Sequence, residues 1–232
     1  MENIAVIGAG RLGTVLAAAL HAAPPLGRGA DGAGAEVVLL CVPDAEIAAA
    51  AAQVAPGPLV GHCSGTLGAD VLAPHEAFTL HPLMTVPHDA PPDVLRGAGC
   101  AVGATSDRAL ATAHGLATRL GMDAVEVADV DRAAYHTAAS MAANFLVTLE
   151  AAAERVAATA GVDRALLTPL VRASVENWAA LGPERALTGP IARGDAATVE
   201  LHRAALAERT PDLLPLYDAL CDATRDLAGA RC

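Results

Sequence analysis

Asn3-Ile4-Ala5-Val6-Ile7 runs straight into Gly8-Ala9-Gly10-Arg11-Leu12-Gly13, and an Ala/Leu-rich stretch continues to about His21. The first five residues are short, apolar and β-branched, as a buried strand requires, and the sequel has helical character. Strand, glycine turn and helix in immediate succession give Gly8-x-Gly10-x-x-Gly13 the context in which it carries meaning. Gly8 makes the tight turn, Gly10 lets backbone approach a pyrophosphate and Gly13 lets helix and strand pack closely. The helix N-terminus then attracts the anion. Arg11 and Leu12 lie inside the same turn and are expected at the cofactor.

Outward from this unit, Pro24 to Gly34 holds too much glycine and proline for regular structure and reads as loop. Val37-Val38-Leu39-Leu40-Cys41-Val42 is apolar on both faces, as a central parallel strand must be, and Pro43-Asp44 opens an Ala-rich helix expected to reach about Val54. Further strands are expected at Leu59 to His62, Thr79 to His81, Cys100 to Val102 and Ala124 to Val127, with a helix from Asp107 to Leu120. This alternation predicts an α/β fold, a doubly wound parallel sheet with a shortened second βα unit. Strands then stop. Helices are expected over Arg132 to Ala160, Asp163 to Leu181, Ala196 to Arg209 and Pro211 to Ala228, so a dinucleotide-binding domain of residues 1–129 is followed by an all-helical domain of residues 130–232.

Composition narrows the chemistry. The 232 residues are 53% apolar but only 2% aromatic, so Ala, Val, Leu and Ile must fill the core. A formal charge of -11 argues against nucleic acid, whose binding relies on cationic contacts to phosphate. All 15 basic side chains are Arg; with no Lys, a lysine Schiff base, general acid or P-loop is excluded. The five cysteines, Cys41, Cys63, Cys100, Cys221 and Cys232, are odd in number and lack metal-ligand spacing, which fits unpaired thiols in a reducing cytoplasm. Met1-Glu2-Asn3 shows no cationic leader, and no membrane-spanning stretch appears.

Several polar residues stand where the sheet presents its ligand. Val42 and Pro43 close a buried strand. His62-Cys63-Ser64-Gly65 and His81-Pro82 follow strand ends, making Ser64 and His81 candidates for substrate contact, against the plainer reading that each is structural. Asp31 has roughly the spacing of a ribose-binding acid but lies in loop. Arg28, between Gly27 and Gly29, is a candidate for a ribose 2′-phosphate, favouring NADP over NAD; a solvated loop arginine is the other reading. On one predicted helix, His136, Ser140 and Asn144 recur at four-residue steps as a polar stripe, either a catalytic face or a buried stripe satisfied by protein. Arg193 and Asp195 sit in a rigid glycine-punctuated turn, Arg193 suited to a substrate carboxylate and Asp195 to orienting it or capping the next helix.

The set Gly8-Ala9-Gly10-Arg11-Leu12-Gly13, Val42-Pro43-Asp44, Ser64-Gly65, His81-Pro82, Tyr135-His136, Asn144 and Leu187-Thr188-Gly189-Pro190-x-x-Arg193-Gly194-Asp195 resembles the Rossmann-like, DUF2520-containing family over nearly the whole chain. That family is similar to the 6-phosphogluconate dehydrogenase-like superfamily, with its ketopantoate reductases, pyrroline-5-carboxylate reductases and F420-dependent NADP reductases. The resemblance implies an N-terminal NAD(P) domain, a helical domain that often dimerises, and hydride transfer to a small anionic carbonyl or imine compound, 2-oxo acids such as ketopantoate first. Many of those enzymes use a Lys-x-x-x-Asn pair. Here Asn144 matches the asparagine, Ser140 takes the lysine's spacing, and His136 is the nearest side chain able to transfer a proton. The lost lysine and the trimmed adenine side motivate an alternative, a nucleotide-binding regulatory protein without catalysis; an NADP-F420 oxidoreductase is a third reading, with no residue that singles it out. A cytoplasmic homodimer is expected.

Overall fold

The computed structural model describes residues 3–229; the readings placed on Met1-Glu2 and Cys232 lie outside them. The chain divides into two compact units, one ending at Ala143 and one beginning at Asn144. That boundary falls inside the stretch 132–160, which the sequence assigns to one helix of the second domain.

The first unit is built on a six-stranded sheet: β1 (Ile4–Ile7), β2 (Val37–Leu40), β3 (Leu59–His62), β4 (Ala77–Leu83), β5 (Gly99–Ala104) and β6 (Asp123–Glu126), hydrogen-bonded in that order. β1 to β4 run parallel, β5 is antiparallel to β4, and β6 is parallel to β5. The reversal at β5 departs from an all-parallel sheet. Residues 84–98 hold Pro87, Pro91, Pro92 and Gly97 and form no helix, so the chain lacks the helical crossover that a parallel return needs. All four residues of β2 are buried, which is why its sequence is apolar without alternation. Leu39, Phe78 and Leu80 pack with Leu16 of α1 (Arg11–Ala19) and Leu116 of α3 (Asp107–Arg119) on one face. Val38, Leu40 and Val60 pack with Ile47 and Leu72 on the other.

The stretch after α1 is loop, as its composition predicts, with one exception. Leu26 makes a parallel bridge to Ile7, donating to the Val6 carbonyl at 2.7 Å while its own carbonyl accepts from Gly8 N–H at 2.9 Å. The missing second βα unit is thus reduced to one residue on the outer edge of β1. The helix expected from Asp44 to Val54 is shorter, a 3-10 turn Asp44–Glu46 followed by α2 (Ile47–Ala51). Within the same unit, α4 (Arg132–Ser140) follows the sheet.

The second unit contains α5 (Leu146–Ala158), α6 (Arg164–Leu181), the short α7 (Pro183–Ala186), α8 (Ala196–Arg209) and α9 (Leu214–Gly229). The single helix expected over 132–160 is interrupted by a π turn at Met141–Phe145, and α7 is an additional element. Val199, Leu206 and Cys221 are buried, but α6 buries none of its residues.

Candidate functional site in the first unit

Because β1, β2 and β3 are parallel, the residues after each strand gather at one edge of the sheet. Gly8 has φ +113°, and a Cβ there would collide with the Cys41 carbonyl oxygen; a Cβ on Gly13 would collide with the carbonyl of Gly8. Both glycines are therefore demanded by the protein's own packing. Gly10 differs. A Cβ at Gly10 would meet nothing within 4 Å, and Gly10 caps α1 with no side-chain bond and no acidic residue in the first turn. The N–H groups of that turn are left without the carboxylate or hydroxyl that commonly serves them.

Two cavities meet at this glycine. One of about 460 Å³ is lined by Gly10, Arg11, Leu12, Val42, Pro43 and His81, among others. A second of about 610 Å³ is lined by Gly8, Gly10, Arg28, Val42, Pro43 and Glu46, among others. They share Gly10, Cys41, Val42 and Pro43, so the crevice runs across the strand ends on both sides of the glycine turn. Its dimensions and the open helix N-terminus fit a dinucleotide whose pyrophosphate would lie over Gly10. Of the residues read from sequence as cofactor-binding, all but Gly13 line this crevice; Gly13 supports it from below.

Arg28 is paired, although its side chain stays largely exposed. Its Nη2 donates to both carboxylate oxygens of Glu46 at 2.9 Å, and both residues line the outer cavity. Glu46, unmarked in the sequence reading, is on the turn that opens α2. Asp31 stays in its loop, accepting from Ala33 N–H at 3.0 Å, and does not line the cavity.

Ser64 and His62 read differently once their partners are seen. Ser64 Oγ donates to Asp44 at 2.7 Å and accepts the N–H groups of Thr66 and Leu67, so its hydroxyl ties the loop after β3 to the turn that follows β2. His62 is fully buried. Its Nδ1 accepts from Ser64 N–H at 3.1 Å, which leaves Nε2 to donate to the Gly68 carbonyl at 3.0 Å. Burial lowers its pKa, and the neutral ring is a structural strut.

At the inner end of the crevice, His81 is the histidine that reaches the lining. Its Nδ1 lies 2.8 Å from the hydroxyl of Tyr135. The Tyr135 and His136 rings approach it edge-on, at centroid distances of 5.5 and 5.8 Å. Gly65 makes room for both imidazoles, since a Cβ there would strike His136 and come within 2.9 Å of His81 Nε2. Burial, then the neighbouring His136 and Arg132, lower the His81 pKa to about 4, so this ring is neutral at neutral pH. Burial raises the Tyr135 pKa and keeps its phenol protonated. Arg132, which sequence reading missed, is fully buried. It donates to Asp129 at 3.0 Å and to Thr79, and its Nη1 has no protein partner. A lone arginine at the start of a predicted helix gave no sign of this.

The remaining sequence candidates are placed elsewhere. Ser140 is half-buried at the end of α4. The π turn breaks the four-residue register on which the His136, Ser140, Asn144 stripe relied, and Asn144 is an exposed residue of the second unit. Asp195 accepts Thr198 N–H at 3.1 Å and the Thr198 hydroxyl at 2.7 Å, which lower its pKa. It is the N-cap of α8, as one of its two sequence readings held. Arg193 is exposed on the turn before it.

Residues 98–224, more than half of the chain, match the DUF2520 family, described as a domain of unknown function. The chain belongs to this family. Residues 24–87 of this DUF2520 protein separately match a Rossmann-like domain. Comparison with curated proteins gives no match. Among solved structures the chain is similar to protein TM1727 from Thermotoga maritima (22% identity, 97% of this chain and 99% of that one, TM-score 0.86). It is also similar to a protein provisionally named as an NADP oxidoreductase from Bacteroides fragilis (21% identity, 97% and 98%, TM-score 0.82). A third is the Plasmodium falciparum pyrroline carboxylate reductase with NADP bound (11% identity, 98% and 98%, TM-score 0.63). At these identities the likeness establishes the fold, a Rossmann-like sheet followed by a helical region.

Proposed function

We propose that this DUF2520 protein is an NADP-preferring reductase of a small anionic carbonyl or imine compound. The observation that carries the reading is the open space over Gly10, at the junction of two cavities and against an uncapped helix N-terminus. Gly8, Gly10, Arg11 and Leu12 would hold the pyrophosphate, Val42 and Pro43 the middle of the dinucleotide, and Arg28 the adenosine ribose or its 2′-phosphate. A bound nicotinamide supplies the hydride. The similar structure of the Plasmodium falciparum pyrroline carboxylate reductase, which has NADP bound, supports this choice.

The rest of the chemistry falls to the chain's own side chains. Neutral His81 presents a hydrogen-bonding ring to the crevice, held in orientation by Tyr135. His136, packed edge-on against it, is the proton donor in this reading, since imidazole serves as a general acid and serine and asparagine serve poorly. Arg193, on an exposed turn of the second unit, has the chemistry of a clamp for a substrate carboxylate. The protein works as a homodimer in the cytoplasm, its second unit supplying the interface.

The deciding experiment follows NADPH oxidation against a panel of 2-oxo acids, ketopantoate first, and cyclic imines. With an active substrate, His136→Ala should lower kcat about 10²–10⁴-fold at unchanged NADPH affinity. Arg193→Ala should act chiefly on kcat/KM for anionic substrates. NADPH binding without turnover of any panel member would favour a nucleotide-binding regulatory protein instead.

A further inference from the structure

Cys41 and Cys63 follow directly on β2 and β3, one residue beyond the paired Leu40 and His62, so the parallel register sets them side by side. Their sulfurs lie 3.8 Å apart. Both residues are partly exposed, both line the 460 Å³ inner cavity, and Cys41 also lines the outer one. Adjacent strands are about 4.8 Å apart, inside the range of about 4.4–6.8 Å that a disulfide spans between Cα atoms. Closing the sulfurs to about 2.05 Å therefore needs side-chain rotation and no change of register. The other described cysteines, Cys100 and Cys221, are buried.

We propose that Cys41 and Cys63 are a reversible oxidation site in the floor of the crevice, closed to a disulfide by hydrogen peroxide, and that the closed form binds dinucleotide more weakly. The bond itself rests on the cysteine geometry alone; its effect on binding rests on the dinucleotide reading above. Cys41, which lines both cavities where Cys63 lines one, is the more reachable thiol and attacks first. The hydrogen bond with Cys41, together with burial, holds the Cys63 thiol protonated, its pKa well above the usual range. The Cys41 sulfur displaces one peroxide oxygen, breaking the O–O bond, releasing water and leaving a sulfenic acid. The Cys63 sulfur then attacks that sulfur, the S–O bond breaks, and a second water leaves with the thiol proton. Two thiols and one peroxide give one disulfide and two waters.

The effect on binding follows from what Cys41 supports. Its carbonyl oxygen lies directly beneath Gly8, and its Cβ would be 3.1 Å from a Cβ on Gly13. Packing this close passes any rotation of Cys41 to the glycine turn.

The test is peroxide treatment of the whole protein, followed by peptide mass spectrometry and NADPH calorimetry. A peptide joining Cys41 to Cys63, lighter by two hydrogens and released by dithiothreitol, is expected. NADPH affinity should fall at least tenfold and recover on reduction, whereas Cys63→Ala, treated alike, should form no such peptide and lose less affinity. Over-oxidation of Cys41 without a crosslink, or a crosslink through Cys100, would overturn the site. A crosslink with unchanged NADPH affinity would overturn its effect on binding. Reduced protein that binds no NADPH would contradict the dinucleotide reading and the binding effect with it, while the crosslinked peptide would still decide the oxidation site.

Discussion

The Tyr135 hydroxyl lies 2.8 Å from Nδ1 of His81, joining the helix after the sheet to the strand that carries the crevice histidine. Because the His81 ring is largely buried, removing this partner leaves a polar atom without compensation. Tyr135→Phe should cost about 1–3 kcal/mol in urea unfolding. The cost should shrink when the same change is made in a His81→Ala background. Equal costs in the two backgrounds would show that the contact does not stabilise the fold.

The same histidine makes stability depend on pH in a defined direction. Its pKa falls from an ordinary 6.5 to about 4 on folding, so between those values the unfolded chain binds the extra proton. Stability should therefore be full above pH 6.5 and decline as pH falls toward 4. Buried His62, also lowered, acts in the same sense. Glu76, held down to about 2 by Arg108 and Ser106, adds a further loss only below about 4.5. Urea midpoints recorded from pH 8 to pH 4 should show this slope, and His81→Gln should flatten it between 6.5 and 4. A wild-type profile level across that interval would contradict a buried neutral His81.

Much of this was legible in the chain. The strand positions were readable because buried parallel strands are apolar without interruption, as in Val37 to Leu40, and the glycine turn because its spacing has a steric cause at Gly8 and Gly13. The antiparallel β5 was not, since the local pattern of Gly99 to Ala104 is the same in either direction and only the helix-free connection before it decides. Ser64 and Asp195 look chemical in sequence because serine and aspartate serve equally as ligands and as loop or helix caps; their partners, Asp44 and Thr198, separate the two. The stripe through Asn144 failed because a π turn leaves no signature in residue periodicity. Glu46 and Arg132 were invisible, each being a common residue whose role comes from a partner distant in sequence or from complete burial.

Cofactor choice should turn on the pair at the outer cavity. Arg28→Ala should weaken NADPH by about 1–3 kcal/mol and leave NADH nearly unchanged. Glu46→Gln should act the other way, because the guanidinium is no longer engaged by a carboxylate that repels a phosphate. Calorimetry with both cofactors on both variants checks this; equal losses of NADPH and NADH in Arg28→Ala would show that Arg28 does not read the 2′-phosphate.

Assembly should depend on α6. Leu166, Leu170 and Trp178 are 71%, 66% and 58% exposed and recur at multiples of four residues, forming an apolar stripe on a helix that buries none of its residues. Light scattering should return a dimer at micromolar concentration, and Leu170→Glu should shift it to monomer. A monomeric wild type would contradict the expectation.

Calorimetry of NADPH with three glycine variants decides whether dinucleotide lies over Gly10. Gly10→Val should abolish binding while the unfolding midpoint stays near wild type, because its side chain enters space that no protein atom occupies. Gly8→Ala and Gly13→Ala should instead destabilise the fold, since each Cβ meets backbone. Wild-type NADPH affinity in a folded Gly10→Val protein would contradict the account.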